Sequence, residues 1–256
     1  MRFQDRVVWV TGASSGIGEA LAKEFSREGA QLVLSARRPD ELERVRAACA
    51  QPERHRILPL DLTDAAAVAR AAEQAGRVDV LVHSGGVSQR SLAMETRLDV
   101  EKSIMELNFF GTVALTKAVL TSMIARRAGQ IVPISSVVGY VGTPLRSAYS
   151  ASKHALHGYF DSLRAEVAKD GITITIVCPG YIRTDVSRNA KTGDGSAFGR
   201  MDDTHVEAMT AEDCARRIVA GVAGKKREVV VGGKETWAIL LQRLAPALVA
   251  RVVRMK

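Results

Sequence analysis

The segment Arg6-Val-Val-Trp-Val-Thr-Gly-Ala-Ser-Ser-Gly-Ile-Gly18 reads as a buried strand entering a glycine turn that opens a helix. Gly12 lets the chain turn tightly, Gly16 permits backbone approach to a pyrophosphate, and Gly18 lets helix and strand pack closely. Ser14, Ser15 and Ile17 complete the turn, and the helix start offers free N–H groups and a partial positive charge to phosphates. The spacing is Gly-x-x-x-Gly-x-Gly rather than the commoner Gly-x-Gly-x-x-Gly. An ordinary β–α turn that happens to carry glycines is the bland alternative; the strand-to-helix context favours dinucleotide binding.

Outward from this turn, short β-branched runs alternate with longer helical patterns. Strands are expected at Arg6–Val10, Gln31–Ala36, Arg56–Leu60, Val78–His83, Gln130–Ser135, Ile172–Cys178 and Glu228–Val231. Helices are expected at Ile17–Gly29, Asp40–Ala50, Asp64–Ala75, Asp99–Arg127, Ala148–Asp170 and Ala211–Ala223. Near-continuous apolar strands fit a sheet covered on both faces, and βα alternation predicts an α/β, Rossmann-type, doubly wound parallel sheet. No linker or repeat divides residues 1–236, which read as one catalytic domain followed by a tail at 237–256.

Of the 256 residues, 46% are hydrophobic and 25% charged, too apolar for a charge-dominated disordered chain. No uninterrupted apolar run approaches the ~18–20 residues of a bilayer span. The early start of the first strand argues against a signal peptide. Cys49, Cys178 and Cys214 are too few and too scattered for a disulfide framework or a Cys-rich zinc site, so no metal is expected. These readings place the chain in the cytoplasm. Net charge is +8, but acids and bases cancel over residues 1–215, and the whole excess lies in 216–256. Basicity belongs to the tail, which lacks the aromatic stacking platforms of a nucleic-acid binder.

The end of the second strand reads Ser35-Ala-Arg-Arg38, with no acid before Asp40. An acid there would hold a free ribose 2′-OH, whereas Arg37 and Arg38 can grip a 2′-phosphate, so NADP(H) is favoured over NAD(H). Tyr149 and Lys153 stand four apart in a helical pattern and share a face. A cation beside a phenol favours the phenolate and makes Tyr149 a candidate acid/base. Ser136 closes the fifth strand, and Asn108 is a polar amide in the apolar run Glu106-Leu-Asn-Phe-Phe-Gly111.

The set TGASSGIG, Asn108, Ser136, Tyr149-x-x-x-Lys153 and Cys178-Pro-Gly180 with Thr184 resembles the classical short-chain dehydrogenase/reductase family. The likeness runs in order from about residue 5 to residue 185. It implies a seven-stranded sheet and hydride transfer between a nicotinamide and a carbonyl or secondary alcohol. It also implies roles: Tyr149 as acid/base, Lys153 on the nicotinamide ribose and lowering the tyrosine pKa, Ser136 on the substrate oxygen, and Asn108 anchoring a water. Pro179, Gly180, Ile182 and Thr184 would meet the nicotinamide, and Asp61 and Leu62 the adenine. Where the family usually has Asn-Asn-Ala-Gly, this chain has His83-Ser-Gly-Gly86. Ser84, Gly85 and Gly86 still admit the cofactor, and His83 reads as a structural histidine. The stretches FFGTVALTKAVL and SAYSASKHAL most resemble the branch containing acyl- and alkyl-dihydroxyacetone-phosphate reductases.

No charged group is evident near the catalytic residues for a charged substrate, though the loop arginines Arg188 and Arg200 could meet a phosphate. Val137, Val138, Tyr140, Val141 and Leu145 suggest an apolar pocket closed by a loop at 187–210 carrying Phe198 and Met201, so a hydrophobic or lipid-like substrate is expected. A cofactor-binding sensor with little turnover is the second reading. The tail interleaves apolar residues with Arg243, Arg251, Arg254 and Lys256 and carries Pro246, which would kink it. It fits either an anionic membrane surface or packing on its own domain or a second subunit. The family likeness implies a homodimer or homotetramer.

Overall fold

The computed structural model describes residues 1–201 and 208–254. Part of the expected loop at 187–210, and Lys256 of the tail, lie outside the described residues. Six parallel strands run in the order β3-β2-β1-β4-β5-β6: β1 (Val7–Thr11), β2 (Gln31–Ser35), β3 (Arg56–Ile57), β4 (Val80–His83), β5 (Gly129–Pro133) and β6 (Ile172–Ile174). The strand expected at Ile172–Cys178 is broken at Thr175, whose N–H donates to the Ile131 carbonyl (2.9 Å) and whose hydroxyl donates to the Lys226 carbonyl (2.6 Å). Beyond the break, β7 (Ile176–Pro179) pairs in parallel with β10 (Glu228–Val231). A bridge between Ile134 and Val177 joins this pair to the larger sheet. The seven-stranded expectation thus becomes six strands and an adjoining pair. A further small pair, β8 (Ile182–Arg183) and β9 (Met209–Thr210), lies beyond the end of β7.

The central strands β1, β4 and β5 are largely apolar because both faces are covered. Val8, Val10, Leu32 and Leu34 pack with Leu21 and Phe25 of α1 (Gly16–Arg27) and Ile218 and Val222 of α7 (Ala211–Ala223). Trp9, Val33, Leu81 and Ile131 point the other way, onto Leu115, Met123, Leu156 and Phe160. Side-chain alternation along each strand therefore feeds two cores. Leu42 and Val45 of α2 (Pro39–Ala47) join the first, and α3 (Ala65–Ala75), capped by the Asp64 carboxylate on the Ala67 N–H (2.9 Å), joins the second.

The helix expected at Asp99–Arg127 is α4 (Leu98–Met105), a π-turn at Glu106–Phe110 and α5 (Gly111–Ala125). Leu98–Ala125 contains no uninterrupted apolar run of bilayer-spanning length, yet an 18-residue window within it, with mean hydropathy 1.4, is long and apolar enough to cross a membrane by length and composition. Here it lies against the sheet, with buried Thr112 and Thr116 hydroxyls back-bonded to the carbonyls one turn earlier. α6 (Ser147–Glu166) lies beside it. The tail is two short helices, α8 (Trp237–Leu244) and α9 (Pro246–Val252), separated at Ala245 because Pro246 cannot continue a helix.

His83 is a structural residue. Its Nε2 meets the Thr116 hydroxyl at 2.9 Å, its Nδ1 has no partner among the described residues, and burial pushes its pKa down to about 3. The neutral ring is therefore native, while the unfolded chain binds a proton below its ordinary pKa of 6.5. Full stability is present above that value and is lost as pH falls toward 3, by on the order of 5 kcal/mol over the whole window. His83→Asn should remove about one proton from the pH dependence of urea-unfolding free energy between pH 6.5 and 4. An unchanged slope would show that the histidine is not buried neutral.

Candidate active site

The cleft at the carboxyl ends of the strands encloses about 910 Å³. Every residue expected to bind the dinucleotide lines it: Gly12, Ser14, Ser15, Gly16, Ile17, Gly18, Arg37, Arg38, Asp61, Leu62, Ser84, Gly85, Gly86, Tyr149, Lys153, Pro179, Gly180, Ile182 and Thr184. Gly12 adopts φ +66°, and a Cβ there would stand 2.6 Å from the Gly85 N. A Cβ on Gly18 would run into the Gly12 carbonyl. The glycines are thus required by backbone-on-backbone contact. The first turn of α1 has no side-chain cap at Ser15, leaving its N–H groups to the cleft. This uncapped cradle fits a pyrophosphate.

Arg44, which sequence reasoning passed over, steadies the loop. Its guanidinium donates twice to Glu19 (2.9 and 2.8 Å) and once to the Ser14 carbonyl (3.2 Å). The Arg44 hydrogen bonds outweigh burial and hold Glu19 down to about 2. Arg37 is exposed at the cleft edge, close enough to help lower the Asp61 pKa after the Thr63 hydrogen bonds have done so.

At the other end stand Ser136, Tyr149 and Lys153. Ser136 follows β5, donates to the Pro179 carbonyl (3.3 Å), accepts from the Val138 N–H (3.3 Å) and hydrogen-bonds the Tyr149 phenol. Lys153 is buried, with Nζ donating to the Ile134 carbonyl at 2.9 Å and lying 5.7 Å from the Tyr149 ring centroid. Burial lowers its pKa to about 8. Burial raises Tyr149, opposed by Arg146, Ser136 and Arg90. The Lys153 ammonium is engaged by the Ile134 carbonyl, and the charges that oppose the burial of Tyr149 are those of Arg146 and Arg90.

Asn108 does not line the cleft. Its amide donates to the Val87 carbonyl (2.9 Å) and the Ser152 hydroxyl (3.0 Å), and its Oδ1 accepts from the Val87 N–H (2.8 Å). It ties the loop after β4 to α6 from the π-turn, whose extra residue turns it inward.

The expected apolar pocket is not built from Val137, Val138, Tyr140, Val141 or Leu145, none of which lines the cleft. Val137 and Tyr140 pack into the core behind α6, and Val141 is buried. Val87, Leu107, Val186 and Ala197 supply apolar lining to the cleft, while half-buried Val138 stands beside it, its N–H on the Ser136 hydroxyl. Phe198 instead stacks under the Arg200 guanidinium, 4.7 Å from its ring centroid. Charged groups do stand close to Tyr149, though outside the cleft lining. Arg90 is buried, donating to the Ser88 hydroxyl (3.0 Å) and the Gln89 carbonyl (2.7 Å), and with Arg146 it acts on Tyr149. Both precede the Tyr–Lys helix in loops without a recognisable pattern.

This cleft defines a Rossmann-type dinucleotide site with a Ser-Tyr-Lys set at its nicotinamide end. The short chain dehydrogenase family profile matches residues 6–195, and the chain belongs to that family. Dehydrogenase/reductase SDR family protein 7-like of Anopheles gambiae is 46% identical over 95% of this chain and 80% of its own length. SDR family member 7B of Xenopus tropicalis is 44% identical over 96% and 83%. Member 7 of Homo sapiens is 45% identical over 88% and 69%. A solved short-chain dehydrogenase from Streptomyces avermitilis superposes with TM-score 0.82 at 30% identity over 96% of both chains. Another, from Burkholderia cenocepacia in complex with NADP, has TM-score 0.82 at 24% identity over the whole of both chains, a likeness of fold. The relatives bear SDR 7 and 7B names rather than those of the acyl- and alkyl-dihydroxyacetone-phosphate reductases expected from the branch likeness. The chain is an NAD(P)-dependent oxidoreductase of this family.

Gln89, another residue without a sequence signal, is fully buried and caps α6: its Oε1 accepts from the Ala148 N–H (2.8 Å) and the Tyr149 N–H (3.3 Å). Gln89→Leu leaves both donors unsatisfied, which costs about 1–3 kcal/mol. It should lower the urea midpoint and cut kcat by misplacing Tyr149. Wild-type stability and kcat in this variant would refute the cap.

Proposed function

We propose that the chain uses NADP(H) to interconvert a carbonyl and a secondary alcohol on a hydrophobic or lipid-like substrate, with Tyr149 as acid/base. The observation that carries this reading is the convergence of Ser136, Tyr149 and Lys153 at one end of a cleft whose other end bears Arg37 and Arg38. The cofactor, when bound, supplies or accepts the hydride. Gly12, Gly16 and the uncapped start of α1 hold its pyrophosphate, and Arg37 with Arg38 its 2′-phosphate. Lys153 would meet the nicotinamide ribose, with Pro179, Gly180, Ile182 and Thr184 beside the nicotinamide.

The Ser136 hydroxyl orients the substrate oxygen, and the phenol of Tyr149 gives it a proton in reduction or takes one in oxidation. A neutral phenol, maintained by burial, is the form needed to donate. Arg146 and Arg90 oppose that burial and stabilise the phenolate left behind. Asn108 positions Gly86–Val87 and α6 rather than touching the reacting atoms. Val87, Val186 and Ala197 support an apolar substrate.

Tyr149→Phe should retain NADPH affinity and lose turnover by about 10²–10⁴-fold in an NADPH-oxidation screen of ketones graded by chain length. Unimpaired turnover would sink the acid/base role; a wild type that binds NADPH but turns over no ketone would favour the sensor. In parallel, Arg37→Ala should weaken NADPH by about 10–100-fold and leave NADH little changed. Equal losses for both would remove the 2′-phosphate assignment.

We also propose that the tail rests on an anionic membrane surface. Ile239 and Val249 anchor it to the domain, while Trp237, Leu244 and Val252 are 65%, 74% and 76% exposed, with Arg251 and Arg254 nearby. Apolar residues rimmed by cations match an anionic interface. Deleting residues 237–256 should abolish salt-sensitive cosedimentation with phosphatidylserine vesicles. Absence of cosedimentation by the full chain at low salt would contradict the proposal.

A further inference from the structure

Behind the cleft, α6, β7 and β10 bring together three side chains that no sequence motif connects. His157 lies one helical turn beyond Lys153, Cys178 sits near the end of β7, and Glu228 begins β10. Their ligand-type atoms all lie within 4.8 Å of one another. Cys178 Sγ is 3.5 Å from Glu228 Oε1 and 3.9 Å from His157 Nε2. Cys178 is fully buried and His157 nearly so, whereas Glu228 is partly open to solvent, which leaves a way in.

We propose that His157, Cys178 and Glu228 form a binding site for a zinc-class divalent cation. One thiolate, one imidazole and one carboxylate are the donor types zinc accepts, and three protein ligands leave a fourth position open. Bonds of about 2.0–2.3 Å set tetrahedral ligand atoms roughly 3.3–3.8 Å apart, so small side-chain movements close the triad around an ion. Two anionic ligands neutralise the ion's charge. Binding exchanges the thiol proton of Cys178 for the metal and releases that proton to solvent. Nε2 of His157 becomes a ligand when its ring carries the proton on Nδ1.

The surroundings supply the remaining parts. The Tyr140 hydroxyl hydrogen-bonds Glu228 Oε1, and its ring packs on His157 with centroids 4.3 Å apart. That phenol, or water, is placed for the fourth position. The Arg243 guanidinium lies on the Tyr140 ring at 5.1 Å, so the nearby cation is held by an aromatic face. Ser135 Oγ, 2.9 Å from His157 Nε2, also donates to the Lys153 carbonyl at 3.2 Å and keeps that acceptor when the imidazole turns to metal. The expectation of no metal rested on cysteine spacing along the chain. Folding assembles a mixed-donor set from residues 21 and 50 positions away from Cys178.

The test is titration of the full-length, chelator-treated protein with Co(II) alone, followed by displacement with Zn(II). One Co(II) should bind per chain, with a thiolate-to-cobalt charge-transfer band and release of about one proton. Cys178→Ser should abolish the band and weaken binding at least ~100-fold, as should His157→Gln. The double variant Cys49→Ser/Cys214→Ser should retain both. Circular dichroism and urea midpoints establish that each variant is folded, and His157→Gln decides the matter if Cys178→Ser is not. Cobalt binding without a thiolate band, or binding unchanged in a folded Cys178→Ser or His157→Gln variant, would overturn the site.

Discussion

A buried ammonium on one backbone carbonyl organises the catalytic end of this molecule. Taking the Lys153 charge out of water is expensive unless its donors are satisfied, and the Ile134 carbonyl at 2.9 Å is the acceptor within the protein. Ile134 is where the chain leaves β5, so the contact fixes α6 against the strand end that carries Ser136. The neighbouring polar contacts serve the same junction. Gln89 caps α6 at Tyr149, Asn108 reaches Ser152, and Ser135 reaches the Lys153 carbonyl. Gln89, Asn108, Ser135 and Lys153 each have a partner at this junction, as the cost of an unsatisfied buried group favours.

The cofactor end is organised by the absence of side chains. The β1–α1 turn sits against the β4 loop at Gly12 and Gly85, and α5 meets the Leu62 backbone at Gly111, where a Cβ would stand 2.6 Å from the Leu62 carbonyl oxygen. These contacts leave backbone N–H groups facing the cleft, and the Arg44–Glu19 pair holds the turn from outside. Acid therefore loosens this end. The stabilisation associated with Glu19 is full above its ordinary pKa of 4.5 and is lost as pH falls toward 2, discounted because the pair is partly solvated.

The chain order of strands and helices was legible because the central strands are largely apolar and bounded by turns. The glycine loop, Tyr149 and Lys153 were legible because their chemistry depends on short spacings. What escaped was set by three-dimensional neighbours. Thr175 breaks a strand that reads as continuous, since its hydrogen bonds lie on residues 44 and 51 positions away. Tyr140 and Val137 follow Ser136 closely but turn into the core, while Val186 and Ala197 reach the cleft from farther along the chain. Asn108 was visible as an anomaly, yet its partners Val87 and Ser152 were not. Arg90 and Gln89 carry no local pattern, and only folding places them beside Tyr149.

Burial governs protonation in this account, with Lys153 at its centre. The most direct measurement is an NMR titration of the Lys153 ¹³Cε resonance in the cofactor-free protein, assigned by its loss in Lys153→Met. A midpoint near 8 is expected, because burial opposes the ammonium that the Ile134 carbonyl accepts from. A midpoint at the ordinary value of 10.5 would mean that this lysine is solvated, and would contradict the buried contact on which the catalytic end is built.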